Sequence, residues 1–191
     1  MLSEINNINN MKKAFFDLGP GVLNSEAWRK DLWDDYTIIG LEPDPVRFET
    51  LKETYPGLLL NLAVSDKSEE MTGIMHETSG FIAGGYPGYE KIVSVKAVTL
   101  DSIDKKYGPF DEIIIWADIE GSELKMLKGA TKVLKKTHSI TVELHTGPRT
   151  KEWAKSYEVF SFLKKQGFIP DRDEKPQTEH DSSYDVLFRK T

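Results

Sequence analysis

The stretch KKAFFDLGPG, residues 12–21, decides how the rest of the chain reads. Lys12 to Leu18 is a short apolar run that reads as a buried strand, and Gly19-Pro20-Gly21 ends it with a turn. Ser25 to Trp33 then reads as a helix, capped by Asn24 or Ser25. Tyr36 to Leu41, YTIIGL, is a second apolar run of strand length, closed by Glu42-Pro43-Asp44-Pro45. Asp44 as N-cap with Pro45 at the first helical position predicts a helix running to about Tyr55. Leu58 to Val64 is a third strand-length run.

The alternation continues. Val93 to Leu100 looks like a strand, and Ile113 to Ala117, IIIWA, reads as a buried one. Ser122 to about Lys136 is a helix, with Leu124, Leu127, Ala130 and Leu134 on one face. Ser139 to Leu144 is a strand, and Thr150 to Gln166 an amphipathic helix with Trp153, Tyr157, Phe160 and Leu163 near one stripe, closed by Gly167. Phe168 to Pro170 and Tyr184 to Phe188 are strand-like pieces with no long helix between them. Apolar strands alternating with amphipathic helices imply βαβ units, a mostly parallel sheet and two covered faces. The last two strands imply an antiparallel hairpin at one edge. The expected fold is therefore a doubly wound α/β sheet in one domain, residues 1–191. A polar extension covers residues 1–11, and a loop with four glycines covers 78–90.

A chain of 191 residues suits one domain with one sizeable core. Its net charge of −6 argues against a nucleic-acid partner, since such binding relies on cations neutralising phosphates. Lys132, Lys135 and Lys136 form a local basic group, best explained as cations at a helix C-terminus. The absence of cysteine excludes disulfides, thiolate metal sites and a thiol nucleophile. The polar Asn-rich start has no apolar signal core, and no stretch is long enough to span a bilayer. A soluble cytoplasmic protein without a membrane partner is expected; nothing in the sequence points to an oligomeric state.

In an open α/β sheet, ligands bind at the carboxyl ends of the strands, so the residues just after each strand carry the function. Asp17, Gly19 and Gly21 follow the first strand, where glycines let backbone approach a ligand. Glu42 follows the second, placed to accept hydrogen bonds from both hydroxyls of a ribose. Together they indicate a nucleoside-containing ligand. A dinucleotide fingerprint would need a third glycine where Asn24 stands, and the phosphate-cradling Gly-Lys-Ser/Thr is missing, so a nucleoside without phosphates, such as S-adenosylmethionine, fits best. After the third strand, Asp66 is placed to accept from an adenine amine. After the fourth come Asp118, Glu120 and Glu123, a carboxylate cluster suited to general-base work or to a hard cation; no residue is assigned to a metal. Glu143 and His145 follow the fifth, a plausible proton-accepting pair.

The segments FFDLGPG (15–21), GLEPDPVRFETL (40–51), NLAVSD (61–66), VTLDSI (98–103), ADIEGSELKMLKGA (117–130) and ITVELH (140–145) resemble the FkbM family of methyltransferases. The ADIEGSELKMLKGA segment is the most specific of them. The resemblance implies the class I methyltransferase fold, with seven strands in the order 3-2-1-4-5-7-6, and methyl transfer from S-adenosylmethionine, usually to a hydroxyl oxygen. It places Asp17, Gly19 and Gly21 beside the methionine part, Glu42 at the ribose, and Val64 and Asp66 at the adenine. Asp118, Glu120 and His145 face the acceptor, with Asp118 also near the cofactor. The chain departs from the family at Pro20, Gly21 and Leu23, where Gly-Ala-Asn and a further glycine are usual, and at Trp116-Ala117, where a lysine is common before the acid. The family also often has more chain before the first strand, and its shortage here takes away an element that would contact the acceptor.

The expected reaction is O-methylation of a small molecule or carbohydrate, with His145 or Asp118 as base. The 78–90 loop would close over the site and bring Phe81, Tyr86 and Tyr89 to the acceptor. Two other readings remain open: a nucleoside-binding module of the same fold with weakened catalysis, and a nicotinamide-dependent oxidoreductase.

Overall fold

The first strand sits in the middle of the sheet because both of its faces are apolar. The computed structural model describes residues 11–21, 34–76, 80–83, 92–147, 153–175 and 182–191. In it, β1 (Lys13–Leu18) buries Ala14, Phe15, Phe16 and Leu18. It runs parallel to β2 (Thr37–Leu41) on one side and to β8 (Glu112–Ala117) on the other. Beyond β2 lies β3 (Leu58–Leu60), also parallel. Beyond β8 lie parallel β9 (Thr137–His145), then antiparallel β11 (Ser183–Lys190) and β10 (Phe168–Pro170). The sheet order is β3-β2-β1-β8-β9-β11-β10. Numbered within this sheet alone, in chain order, the strands lie 3-2-1-4-5-7-6. The parallel sheet and the antiparallel edge hairpin are as expected.

A second sheet was not expected. Between β3 and β8 the chain forms β4 (Ala63–Val64), β5 (Glu69–His76), β6 (Gly80–Ala83) and β7 (Ile92–Val98), ordered β4-β7-β5-β6. The described chain thus holds eleven strands in two sheets rather than seven in one. The expected third strand, 58–64, is divided between them at Asn61. The Asn61 side-chain amide donates to the carbonyls of Glu42 (2.9 Å) and Pro43 (3.1 Å), pinning the chain where it leaves β3 for β4. β6 also corrects the loop expectation, because Phe81 is buried in the small core of this second sheet with Met71, Ala83 and Ala97. Tyr86 and Tyr89 lie outside the described residues, as does the helix expected over 25–33.

The helices cover the large sheet. α1 (Pro45–Leu51) begins as the sequence indicates: Asp44 accepts from the backbone N–H groups of Val46 (2.8 Å) and Arg47 (3.3 Å), with Pro45 in the first turn. α2 (Leu100–Tyr107) takes the end of the expected 93–100 strand; Thr99 caps it by accepting from Ser102 N–H at 3.1 Å. The helix expected over 122–136 is two short ones, α3 (Glu123–Lys128) and α4 (Val133–Lys136). They part at Gly129, where a Cβ would lie 2.2 Å from the Ser65 carbonyl oxygen, so the close approach of β4's end requires glycine. Asp101 caps α4 from a distance, accepting from Lys132 and Val133 N–H at 2.9 Å each. Lys135 and Lys136 occupy its last turn, and Lys136 Nζ lies 2.6 Å from Asp104 Oδ2, so the basic group is structural. α5 (Ser156–Lys165) starts later than expected, leaving Trp153 off the helix. The main core fills the space between β1, β2, β8, β9, β11 and the helices. No helix among the described residues is long and apolar enough to cross a membrane.

Candidate active site

The carboxyl ends of β1, β2, β8 and β9 converge, and the residues that follow them meet there. Gly19 and Gly21 both take left-handed backbone, at φ 73° and 60°, which only glycine adopts without strain. Gly19 is packed hard: a Cβ there would lie 2.0 Å from the Asp118 carbonyl oxygen. Its N–H donates to Leu41 O, and Asp118 N–H donates to Leu18 O, each at 3.0 Å, tying the turn to both neighbouring strands. Gly21 is different, since among the described residues a Cβ there would meet nothing closer than the Gly19 carbonyl oxygen at 4.0 Å. Its N–H points at Glu42 Oε2 across 3.4 Å.

Glu42 is only 2% exposed. Its Oε1 accepts from Asp44 N–H at 2.9 Å. Burial pushes its pKa up, and the backbone donors of Asp44 and Gly21 with the Arg47 charge oppose this. The sequence places Glu42 beside the glycine turn, and the structure brings the two together.

Asp17 is fully buried, and its Oδ2 accepts from the Tyr55 hydroxyl at 2.7 Å. Tyr55 was not among the residues singled out from the sequence. It reaches Asp17 by crossing Gly40, the partner of Asp17 in β2, where a Cβ would lie 2.7 Å from the tyrosine ring. Val64 is buried in the main core and paired with Val98. Asp66 is exposed at the end of β4 and accepts from the Ser65 hydroxyl at 3.2 Å. Asp66 and the preceding Ser65 lie with their backbone against Gly129.

The acidic cluster is built by β8 and β9. Glu143 and His145 are two residues apart on β9, so both project to one side. His145 Nε2 lies 3.4 Å from Glu143 Oε2 and 3.9 Å from Glu120 Oε2. Glu120 lies before α3, which starts at Glu123, and has φ 49°, a left-handed conformation rare outside glycine. Gly121 follows at φ 86°, and a Cβ on it would run into the Trp153 ring at 2.2 Å. Trp153 in turn meets the His145 ring edge-to-face, with centroids 4.7 Å apart. The Ser156 hydroxyl donates to the His145 carbonyl at 2.8 Å. Periodicity placed Trp153 on a helix stripe; the available clue was the glycine in the acidic segment, which makes room for its ring.

Charge is distributed unequally in this cluster. Burial, then the charges of Glu143 and Glu120, raise the Asp118 carboxyl to about 8. Burial also works to raise Glu143, but hydrogen bonds from His145, Ser183 and Asp118 outweigh it, and Glu143 ends well below the ordinary range. Asp118 therefore holds a proton at neutral pH and shares it with an ionised Glu143. Burial raises Glu123 to about 7, against the lowering effect of backbone N–H donors and His145. A group with a bound proton beside an ionised carboxylate and an imidazole is an arrangement for moving protons.

A family model described as "Methyltransferase FkbM domain" matches residues 21–170, more than half of the chain. The chain belongs to the FkbM methyltransferase domain family. The FkbM match spans α1, the second sheet, the acidic cluster and α5. The hexuronic acid methyltransferase AglP of Haloferax volcanii is 28% identical over 123 residues, covering 62% of this chain and 51% of that protein. The chain thus spans about half the length of this curated relative. Among solved structures, magnesium protoporphyrin IX methyltransferase from Synechocystis PCC 6803 with bound SAM has a TM-score of 0.46 at 10% identity, covering 98% of this chain and 74% of that one. The N-terminal domain of EvdMO1 with SAH and D-fucose has a TM-score of 0.47 at 10% identity, covering 99% and 80%.

Proposed function

We propose that this FkbM-family chain is an S-adenosylmethionine-dependent methyltransferase that methylates a hydroxyl oxygen of a sugar or a related small molecule. The observation that carries the reading is the buried Glu42 carboxylate facing the open turn at Gly21. The residues fit a nucleoside there: among the described residues a Cβ on Gly21 would meet only the Gly19 carbonyl oxygen, at 4.0 Å, and Glu42 offers a carboxylate that burial has stripped of water. Glu42 would hold the ribose, Gly19 and Gly21 with Asp17 the methionine part, Val64 and Asp66 the adenine, and Asp118 would approach the cofactor from β8. The cofactor supplies a methyl group already activated by its sulfonium.

The chain's own residues then have two tasks. One is to hold the acceptor oxygen in line, where positioning supplies most of the acceleration. The other is to take the hydroxyl proton. His145 and Asp118 are the groups assigned to it, and His145 is the better supported, because the Glu143 and Glu120 carboxylates beside its Nε2 stabilise the imidazolium formed when the other ring nitrogen takes the proton. Asp118, already protonated at neutral pH, is better suited to holding Glu143 in place. A carbohydrate acceptor is supported by the relative that is named a hexuronic acid methyltransferase.

The test is label transfer from methyl-labelled S-adenosylmethionine to a panel of hexoses and hexuronic acids. Acceptor-dependent, alkali-stable label is the expected result. Binding of S-adenosylhomocysteine with no transfer to any hydroxyl acceptor would favour the nucleoside-binding module. A thermal shift with a nicotinamide dinucleotide but none with S-adenosylhomocysteine would overturn the reading.

A further inference from the structure

We propose that Glu120, Glu143 and His145 form a binding site for one divalent cation beside the glycine turn. Its use in methyl transfer rests on the reading above; its existence does not. One ligand atom from each residue can be chosen so that all three lie within 4.8 Å of one another. The His145 Nε2 distances of 3.4 Å to Glu143 and 3.9 Å to Glu120 are close to the spacing a small cation imposes. Bonds of about 2.1 Å at tetrahedral or octahedral angles put neighbouring ligand atoms roughly 3–3.5 Å apart. Side-chain adjustments of about an ångström bring every pair from within 4.8 Å to that spacing.

The three residues come from two strand ends and are held there. His145 is set by the Trp153 ring against it and by the Ser156 hydroxyl on its carbonyl. Glu120 is fixed in a left-handed turn whose next residue, Gly121, is wedged under the same tryptophan. Glu143 is hydrogen-bonded by Ser183 and Asp118. Such outer contacts orient ligands and sharpen affinity. The three side chains are 6%, 12% and 23% exposed, so this is a recessed pocket rather than an acidic surface patch.

The ligand chemistry narrows the ion. One imidazole with two carboxylates suits Mn²⁺, Co²⁺ or Zn²⁺, whereas Ca²⁺ prefers a shell of oxygens alone. Three protein ligands leave positions open for an outside oxygen, as in catalytic rather than structural sites. Asp118, two residues before Glu120, packs its carbonyl on Gly19, so the segment that carries Glu120 adjoins the turn assigned to the methyl donor. An acceptor hydroxyl held there would give up its proton more readily. In that case the histidine serves as a ligand and the proton leaves to solvent water.

The test is Mn²⁺ titration of chelator-stripped protein, following free Mn²⁺ by electron paramagnetic resonance. One Mn²⁺ per chain is expected, displaced by Zn²⁺. Glu120→Gln and His145→Asn should each weaken it about tenfold or more, and Glu70→Gln, at an exposed position of β5, should leave it unchanged. S-adenosylhomocysteine titration of the same samples reports whether each variant is folded and keeps the cofactor site. No Mn²⁺ binding by the wild type at millimolar concentration, or binding that both site variants retain, overturns the proposal. Mn²⁺ binding without S-adenosylhomocysteine binding leaves the site standing and removes the methyltransferase reading.

Discussion

Replacing Gly19 with alanine separates two costs that the structure assigns to the same turn. At φ 73° any side chain is strained by about 1–2 kcal/mol. The added Cβ would also sit 2.0 Å from the Asp118 carbonyl oxygen, where ordinary contact begins at 3.4 Å, so the two strand ends must part by about 1.4 Å (3.4 − 2.0). That backbone is held by Gly19 N–H to Leu41 O and Asp118 N–H to Leu18 O. Forcing such a shift costs roughly 1–3 kcal/mol more, for a total of about 2–5 kcal/mol. Gly21→Ala is the control, because at φ 60° with its nearest neighbour among the described residues 4.0 Å away it carries the backbone strain without the Asp118 collision. It should cost only about 1–2 kcal/mol. Equilibrium urea unfolding of both variants, fitted with a shared slope, measures the difference. Equal destabilisation by the two would refute the close approach of Gly19 to Asp118 on which the joined site depends.

Two further outcomes follow from buried groups and caps. The Glu123 carboxyl titrates at about 7 in the fold against an ordinary 4.5, so folding holds an extra proton in that window and stability falls as pH rises through it, by about 3 kcal/mol above pH 7; Glu123→Gln should match the wild type near pH 4.5 and exceed it by pH 8, and parallel urea-stability curves would contradict the buried charge. Asp44→Ala removes the acceptor for Val46 and Arg47 N–H and should cost about 1 kcal/mol, lowering the calorimetric Tm by roughly 2–4 °C.

The large sheet was legible because its strands are apolar on both faces and its turns carry residues with mechanical reasons to be there. FFDL before Gly19, IIGL before Glu42 and IIIWA before Asp118 each announce a buried parallel strand. Asp44-Pro45 marks a helix start by chemistry alone. The second sheet left no such trace. β4 is two residues long, β5 carries Glu70 and Thr72 on its exposed face, and β6 hides in a glycine-rich segment. β4 and β5 are set by pairing with β7, a long-range contact that local pattern does not contain, and β6 by pairing with β5.

The same division holds at the site. Glu42 with the glycine turn, and Glu143 with His145, could be placed because each follows an identifiable strand. Tyr55 on Asp17 and Trp153 on His145 could not, since each reaches its partner across a glycine, Gly40 and Gly121, from an irregular segment. The meeting of Glu120 with His145 depends on the left-handed turn at Glu120, a conformation that a non-glycine residue does not announce.

Calorimetric titration with S-adenosylhomocysteine, on the wild type and on Glu42→Ala, bears on the cofactor site without needing the acceptor. Loss of a charged acceptor for the ribose should cost about 1.5–3 kcal/mol, more than about tenfold in affinity. Micromolar binding by the wild type, weakened by that factor in the variant while its Tm stays close, is the predicted result. No binding by the wild type, or equal binding by both, would contradict the assignment of Glu42 and the turn at Gly21 to the methyl donor.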